Sequence, residues 1–125
     1  MTQLAVVALG GAAGACARFL TVSAMAGWLG RGFPWGTLTV NVGGSMAIGI
    51  LWVFLQRSGT VDPWYQLLIV GFLGAFTTFS AFSLELLIML EAERWMQAVS
   101  YALGSVVTCL VGVAIGVTLA RLVSQ

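Results

Sequence analysis

Histidine and lysine are absent from this 125-residue sequence, and charge of either sign is scarce. Arginine, aspartate and glutamate together supply 7% of the residues, whereas a typical soluble domain carries roughly 25%. The net charge of +1, without a lysine or a basic cluster, argues against nucleic-acid binding. The sequence also has no Cys-x-x-Cys pair, no Walker loop and no nucleophile with a base in a recognisable pattern, so an enzyme is not expected.

Cysteine is rare too, because Cys16 and Cys109 are the two present and both lie inside apolar segments. An oxidised structural bridge is not expected there, and we interpret both residues as small buried hydrophobic side chains. No basic side chain precedes Leu4, as one would at the start of a secretory leader. The first apolar segment is therefore predicted to be retained as a membrane span.

Apolar residues, in contrast, dominate the chain: they make up 60% of it, and the mean hydropathy is +1.04. One small core cannot hide that much apolar surface, which indicates that lipid surrounds the protein. Four segments reach the length of about 20 residues that a helix needs to cross a bilayer. The sequence predicts an all-α membrane protein in which residues 1–125 form one domain with spans at 4–28, 36–55, 67–90 and 95–119.

Aromatic and charged residues lie at the ends of these spans. An interfacial aromatic belt is predicted from Trp28, Trp35, Trp64, Tyr65 and Trp95. Two arginines fall on each side of the membrane, Arg57 and Arg121 against Arg31 and Arg94. The positive-inside rule then selects no orientation, which favours insertion in both orientations and an antiparallel homodimer. Small biases that the insertion machinery resolves into one orientation are the alternative.

Glycines in the first and fourth spans have the spacing that lets helix backbones approach closely. The pairs are Gly10/Gly14 and Gly112/Gly116, and the second span adds Gly43, Gly44 and Gly49. We expect these surfaces to support tight packing between the copies of an oligomer.

The third span contains a segment that an ordinary membrane helix lacks, Gly71-Phe72-Leu73-Gly74-Ala75-Phe76-Thr77-Thr78-Phe79-Ser80-Ala81-Phe82-Ser83. Polar, irregular backbone at bilayer depth is tolerated only where it is buried in protein or lines a hydrated cavity. A break between Gly74 and Thr78 is one interpretation, and its freed carbonyls would suit a hard cation such as sodium. The other is an intact helix whose hydroxyls bond to carbonyls one turn earlier.

Several polar or aromatic residues within the spans each allow two interpretations. Phe79 and Phe82 lie three residues apart on one helix face, where their positive ring edges suit a small anion or simply face lipid or core. The Asn41 amide can donate to an anion or bond another helix. Arg18 and Glu85 face a wet vestibule or a partner, or extend toward the interface.

The fourth span repeats a polar or sulfur-containing side chain every four residues, at Tyr101, Ser105 and Cys109. Residues at this spacing share one helix face. They form either a hydroxyl track along a pore wall or ordinary bonds between helices.

Two stretches, Gly36-Thr37-Leu38-Thr39-Val40-Asn41 and the third-span segment continued through Leu84-Glu85, closely resemble the Fluc (CrcB) family of bacterial fluoride channels. Gly10-Gly11, Gly14 and Arg18 fit as well, so the resemblance covers all four spans. It implies a multi-pass protein of the bacterial inner membrane. It also implies an antiparallel dual-topology homodimer with two pores and a third helix broken at its centre, which passes fluoride passively and lowers its cytoplasmic concentration.

The same resemblance implies roles for individual residues. The fluoride pore would be formed by Asn41, Phe79, Phe82, Thr78, Ser80, Tyr101 and Ser105, with Arg18 and Glu85 at the vestibule. Backbone carbonyls of Gly74 and Thr77 would hold a structural sodium ion at the dimer axis, which is not transported. The chain departs from many relatives at Ala75-Phe76, where they have Gly-Leu, and at Cys109, where a hydroxyl is expected.

The sequence also allows two other functions. A small dual-topology multidrug or cation exporter would also have four short spans and balanced charge, but it needs a carboxylate in the first span, where this chain has Arg18 instead. A non-conducting assembly subunit would not use the polar third span. The expected partners are a second copy of the chain, fluoride and membrane lipid, with no nucleic acid.

Overall fold

Apolar segments of this length fold as helices, because lipid offers no partner for an unpaired backbone group. The structure is a computed structural model that describes residues 2–58 and 63–124. Its elements are α1 (Thr2–Leu29), α2 (Trp35–Ser58), a π-helix (Tyr65–Leu73), α3 (Gly74–Phe76), α4 (Phe79–Glu91) and α5 (Trp95–Val123). The connection at 59–62, and the Arg57 side chain used in the charge comparison, lie outside the described residues.

Within the described residues, four helical stretches are long and apolar enough to cross a membrane: Thr2–Leu29, Trp35–Gln56, Tyr65–Glu91 and Trp95–Val123. The prediction of an all-helical protein with four membrane-length helices is confirmed, and the helices extend a few residues beyond the predicted spans. Large apolar side chains are exposed along the outside of the bundle, among them Leu9, Phe19 and Leu103. Such a surface suits hydrocarbon and not water, so the chain is a multi-pass membrane protein.

Tryptophans are exposed at the helix ends, as an interfacial belt requires. Trp28 is 80% exposed near the end of α1, and Trp35 and Trp95 are exposed at the first residues of α2 and α5. Trp64 is exposed directly before the π-helix. An amphipathic ring at these positions meets headgroups on one side and acyl chains on the other.

Glycines on α1 bring this helix into direct contact with the π-helix. A Cβ atom built on Gly10 would collide with the Leu67 carbonyl oxygen, and one on Gly14 would collide with that of Phe72. Any larger residue would push the two helices apart, because the obstacle is backbone and cannot rotate away. This pair therefore packs within the chain, and the expectation that it joins two copies is wrong.

The second set of glycines packs α2 along α5 in the same manner. A Cβ on Gly116 would collide with the Met46 carbonyl oxygen, and one on Gly49 would lie 2.5 Å from that of Val113. Gly112 faces the Val42 carbonyl oxygen. These contacts, too, lie within one chain and not between copies. The spacing correctly indicates close approach of backbones, but the partner is a helix of the same chain.

The third span changes its backbone conformation along its length. It begins as the π-helix, whose hydrogen bonds join residues five apart, and continues as the short α3. Thr77 (φ −83°, ψ 158°) and Thr78 (φ −152°, ψ 124°) then adopt extended conformations, and α4 starts at Phe79. The two extended residues fall within the Gly74–Thr78 segment that the sequence singled out.

Both cysteines are free thiols. Cys109 is half-buried on α5, but Cys16 is exposed on α1, so its interpretation as a buried residue is wrong. A thiol is small and weakly polar, so an exposed Cys16 within a membrane-length helix behaves as another small apolar group.

Candidate functional site

Asn41 on α2 holds the extended part of the third span through both backbone groups of one residue. Its Nδ2 donates to the Thr78 carbonyl oxygen at 2.9 Å, and the Thr78 amide donates to Asn41 Oδ1 at 2.8 Å. A planar amide that satisfies a backbone donor and acceptor together replaces the partners that a helix would have supplied. Asn41 therefore compensates the extended backbone at this depth.

These bonds leave two nearby carbonyl groups without their usual partners. In a continuous α-helix the Thr78 amide would bond to the Gly74 carbonyl, and the Ala81 amide to that of Thr77. Here the Thr78 amide donates to Asn41, and the Ala81 amide donates to the Thr78 hydroxyl at 3.2 Å. The two carbonyls that the resemblance assigns to sodium are the two that lose these helical donors.

Hydroxyl groups of the segment also bond back to carbonyls one turn earlier. Thr77 Oγ1 donates to the Leu73 carbonyl at 2.9 Å, and Ser83 Oγ donates to that of Phe79 at 2.9 Å. The Thr77 methyl group sits where Gly44 of α2 has no side chain, since a Cβ there would collide with it. Back-bonding and the extended backbone, treated as alternatives from the sequence, therefore occur together.

An open cavity of about 480 Å³ lies beside this segment, between α2, the third span and α5. It collects many of the residues selected from the sequence: Asn41, Gly74, Thr77, Thr78, Phe79, Phe82, Ser105 and Cys109. None of the described residues that line it carries a charged side chain. The wall is thus apolar with a few hydroxyl, thiol and amide groups.

The two phenyl rings of this cavity differ in how deeply they are buried. Phe82 is 9% exposed and packs in a core cluster with Met89, Ala98 and Tyr101, whereas Phe79 is 77% exposed. Their centroids are 5.5 Å apart with planes tilted by 38°. Phe82 is therefore fixed by its own chain, while Phe79 is left open on this face of the chain.

Ser105 contributes a hydroxyl group that has no partner. The residue is 6% exposed and lines the cavity, and its Oγ makes no hydrogen bond within residues 2–58 and 63–124. An unpaired buried polar group costs about 1–3 kcal/mol. A small occupant of the cavity that accepts a hydrogen bond would recover this loss.

Glu85 is held by two hydroxyl donors on either side of its carboxylate. Thr37 Oγ1 donates to Oε1 at 2.6 Å, and the Tyr101 hydroxyl donates to Oε2 at 2.7 Å. Tyr101 also packs against the Phe82 ring, with the centroids 5.0 Å apart. We call Thr37, Glu85 and Tyr101 the Glu85 cluster.

A second cavity, of about 250 Å³, opens on the other side of this cluster. Thr37 and Glu85 line it, together with Arg31 of the α1–α2 connection and Arg94 before α5. Unlike the first cavity, it is lined by both positive and negative side chains.

Four residues chosen from the sequence are not brought into the first cavity, and one of them, Glu85, lines the second cavity instead. Arg18 is half-buried on α1 and lines neither cavity. Ser80 is exposed, with its hydroxyl 3.2 Å from that of Thr78. Tyr101 reaches Glu85 instead of the cavity wall. Arg18 and Glu85, both predicted at the vestibule, do not line a common cavity within one chain.

The sequence model of the family described as CrcB-like protein, Camphor Resistance (CrcB), matches residues 5–117. The chain belongs to this family. The family resemblance read from the second and third spans is thereby confirmed.

Curated relatives in the CrcB family carry the name fluoride-specific ion channel FluC. The protein of Magnetococcus marinus is 47% identical over 122 residues, which are 97% of this chain and 99% of the relative. That of Hahella chejuensis is 44% identical over 122 residues, 97% of this chain and 96% of the relative. That of Methylococcus capsulatus is 50% identical over 120 residues, 95% of this chain but 53% of the relative, so the chain spans about half its length. These relatives are named as channels and not as enzymes, as the sequence led us to expect.

The sequence reasoning did not select Thr37 as a site residue, although it belongs to the Glu85 cluster. A signal was available, because Thr37 lies one helical turn before Asn41 and so shares its face of α2. Gly44 was likewise read only as a packing glycine, whereas it makes room for Thr77 beside the cavity. Thr37 and Gly44 both act through neighbours on the third span, which the linear sequence does not reveal.

Proposed function

We propose that the chain is a fluoride-selective channel that passes F⁻ passively across the inner membrane of a bacterium and lowers the cytoplasmic fluoride concentration. The observation that carries this proposal is the first cavity, where two phenyl rings and an unpartnered buried hydroxyl group line one uncharged groove. The names of the relatives support it.

Fluoride is small and strongly hydrated, so a narrow path must replace its water with donors. The Ser105 hydroxyl supplies one donor, and Asn41 keeps a second N–H besides the one given to Thr78. Ring edges of Phe79 and Phe82 add weak positive potential. Conduction requires binding weak enough for the ion to leave, and a wall without arginine or lysine meets that condition.

The groove of one chain is open, which is why we propose that a second copy closes it. The Phe79 ring is 77% exposed and would meet the other subunit in an antiparallel homodimer. The even distribution of arginines supports insertion in both orientations. In this assembly the single four-helix domain works only as half of the channel, and the partner brings Arg18 and Ser80 into the vestibule and the pore.

Labelling from the two membrane sides tests dual insertion. A Gln3→Cys variant, with Cys16 and Cys109 replaced by serine, is exposed to a membrane-impermeant thiol reagent on intact cells. We expect about half of the protein to react, since dual insertion places half of the α1 N-termini outside, and the remainder to react after permeabilisation. Complete or absent reaction on intact cells would show a single orientation and contradict the dual-topology dimer.

We further propose that the break in the third helix holds a structural sodium ion at the dimer axis. Carbonyl oxygens are suitable ligands for a hard cation, and those of Gly74 and Thr77 have lost their helical donors. Two subunits would supply four such oxygens. When bound, the ion ties the two breaks together and is not transported.

Removing sodium should therefore stop transport. In liposomes where all sodium is replaced by a large organic cation, we expect fluoride efflux to fall to background and to return when sodium is added back. The same preparation assayed in sodium buffer is the control. Undiminished efflux without sodium would refute the structural role of the ion.

Fluoride and chloride efflux from reconstituted liposomes tests the channel itself. Ion-selective electrodes should record fast fluoride efflux and negligible chloride efflux without a proton gradient. Proton-coupled transport of an organic cation in place of fluoride efflux would instead support the exporter that the four short spans also allowed.

A further inference from the structure

The second cavity is a charged recess at the end of the helices, separate from the uncharged first cavity. Arg31 comes from the α1–α2 connection and Arg94 from the residues before α5, and both line a space of about 250 Å³. The only acidic side chain among the described lining residues is Glu85. Two positive groups therefore face one negative group, whose two oxygens already accept hydroxyl donors.

The backbone around Arg94 places its side chain at this recess. The helix α4 ends at Glu91, and Glu93 two residues later adopts the left-handed region (φ 58°). The Glu93 amide donates to the Leu90 carbonyl, and the Arg94 amide donates to that of Met89. This pair of bonds is a Schellman termination, which reverses the chain at a defined residue. The position of Arg94 is thus set by the helix end and not by a loose loop.

Side-chain contacts then tie the α1–α2 connection to α5. The Gly32 carbonyl accepts hydrogen bonds from Arg94 Nη1 at 3.3 Å and from Gln97 Nε2 at 3.1 Å. The Phe33 ring packs edge-on against Tyr101, with the centroids 5.4 Å apart. Because a guanidinium has five N–H donors, the bond to Gly32 leaves Arg94 able to bind an anion.

A chain of side-chain contacts through the Glu85 cluster links the recess to the first cavity. Glu85 and Thr37 line the recess, Glu85 accepts a hydrogen bond from Tyr101, and Tyr101 packs on Phe82, which lines the first cavity. An ion path that continues from the phenyl rings on this side would therefore run past Tyr101 to Glu85 and the two arginines.

We propose that the recess is the aqueous mouth of the ion path, where Arg31 and Arg94 bind hydrated fluoride and raise its local concentration next to the Glu85 cluster. This inference rests on the proposed channel function. Fixed positive charge suits an open mouth, because water screens it and the ion can leave, whereas in the narrow path it would hold the ion. Glu91 and Glu93 are exposed and do not line the recess.

The test is fluoride efflux from liposomes of uncharged phosphatidylcholine, with Arg31→Gln and Arg94→Gln made singly and together. Focusing of charge at a cleft changes association by roughly 10-fold or more. At low fluoride and low ionic strength, we expect fluoride efflux through the double variant to be about tenfold slower than through the wild type. The difference should close at saturating fluoride, and also near 1 M of an impermeant salt, where the Debye length is about 3 Å.

Arg121→Gln is the matched control, because Arg121 is an exposed arginine in the last turn of α5 that lines neither cavity. It removes the same charge and should leave efflux at the wild-type level. Arg94→Lys keeps the charge without the guanidinium fork and should restore most of the efflux lost in Arg94→Gln.

Four results would overturn the inference. They are unchanged efflux in the double variant, an equal loss in Arg121→Gln, a loss that persists at high salt and saturating fluoride, and a loss seen only when anionic lipid is added. An equal loss in Arg121→Gln would indicate an effect of general surface charge. A loss that persists at high salt and saturating fluoride would indicate a packing role through Gly32. A loss seen only with anionic lipid would indicate a lipid phosphate in the recess. Wild-type protein that passes no fluoride would refute the channel function itself, and this outcome is distinguishable from the four above because they all require an active wild type.

Discussion

Fluoride efflux through a Phe82→Ile variant is expected to fall by at least about tenfold. An increase of only about 1.4 kcal/mol in the barrier at one point of the path already lowers the rate tenfold. Isoleucine lacks the positive ring edge that we propose meets the ion. The ring of Phe82 is held in place by the core cluster of Met89, Ala98 and Tyr101.

Isoleucine, rather than alanine, separates this electrostatic effect from packing. Removing a buried phenyl ring entirely costs about 3–5 kcal/mol, whereas an apolar side chain of similar size costs less than about 1.5 kcal/mol. The variant should therefore remain folded, which thermal unfolding in detergent checks.

The control for this experiment is Phe19→Ile, the same chemical change at a position on α1 that is 71% exposed and lines neither cavity. Efflux through this variant should match the wild type, measured with a fluoride electrode on liposomes of equal protein content. If Phe82→Ile conducts normally, or if both variants lose activity alike, the ring of Phe82 is not part of the path.

Replacing Asn41 with leucine should remove fluoride efflux and the response to sodium together. Both hydrogen bonds to Thr78 are lost, and each unpaired backbone group costs about 1–3 kcal/mol. The Thr78 amide can recover its loss by bonding to the Gly74 carbonyl, as in a continuous helix. The Gly74 carbonyl is then no longer available to a cation. The same rearrangement of the backbone also changes the shape of the pore wall.

Two measurements on Asn41→Leu check this coupling. The melting temperature of the wild type should rise with added sodium, since a ligand of the folded state stabilises it, while that of the variant should not respond; fluoride efflux should fall to background. Thr39→Val, which removes an exposed hydroxyl from the same helix, is the control and should behave as wild type. A variant that conducts and still responds to sodium would show that Asn41 does not maintain the extended backbone at Thr77 and Thr78.

The membrane helices could be predicted from the sequence because their cause is local. An apolar stretch of about 20 residues in lipid has one way to satisfy its backbone, and the tryptophans mark where each stretch meets the interface. The predicted spans consequently agree with the helices to within a few residues. Cys16 was misjudged for a related reason, since an apolar segment does not indicate which of its faces meets lipid.

The candidate site was predictable in part. The unusual third-span motif identified Gly74–Thr78 and the two phenylalanines, because hydroxyls and glycines at bilayer depth need a structural reason. The different burial of Phe79 and Phe82 was not predictable, since it depends on how α5 packs against α4. The unpartnered state of Ser105 likewise becomes visible only when every neighbour is in place.

The sequence by itself predicted four apolar membrane-length helices and an irregular third span, and its motifs resembled the CrcB family, to which the comparison then assigned the chain. Only the tertiary structure decided which groups meet. The Thr37–Glu85 and Asn41–Thr78 bonds join residues 48 and 37 positions apart, and the glycine pairs contact helices of their own chain. A local pattern states what a segment can bind, whereas its partner is set by the way the helices pack.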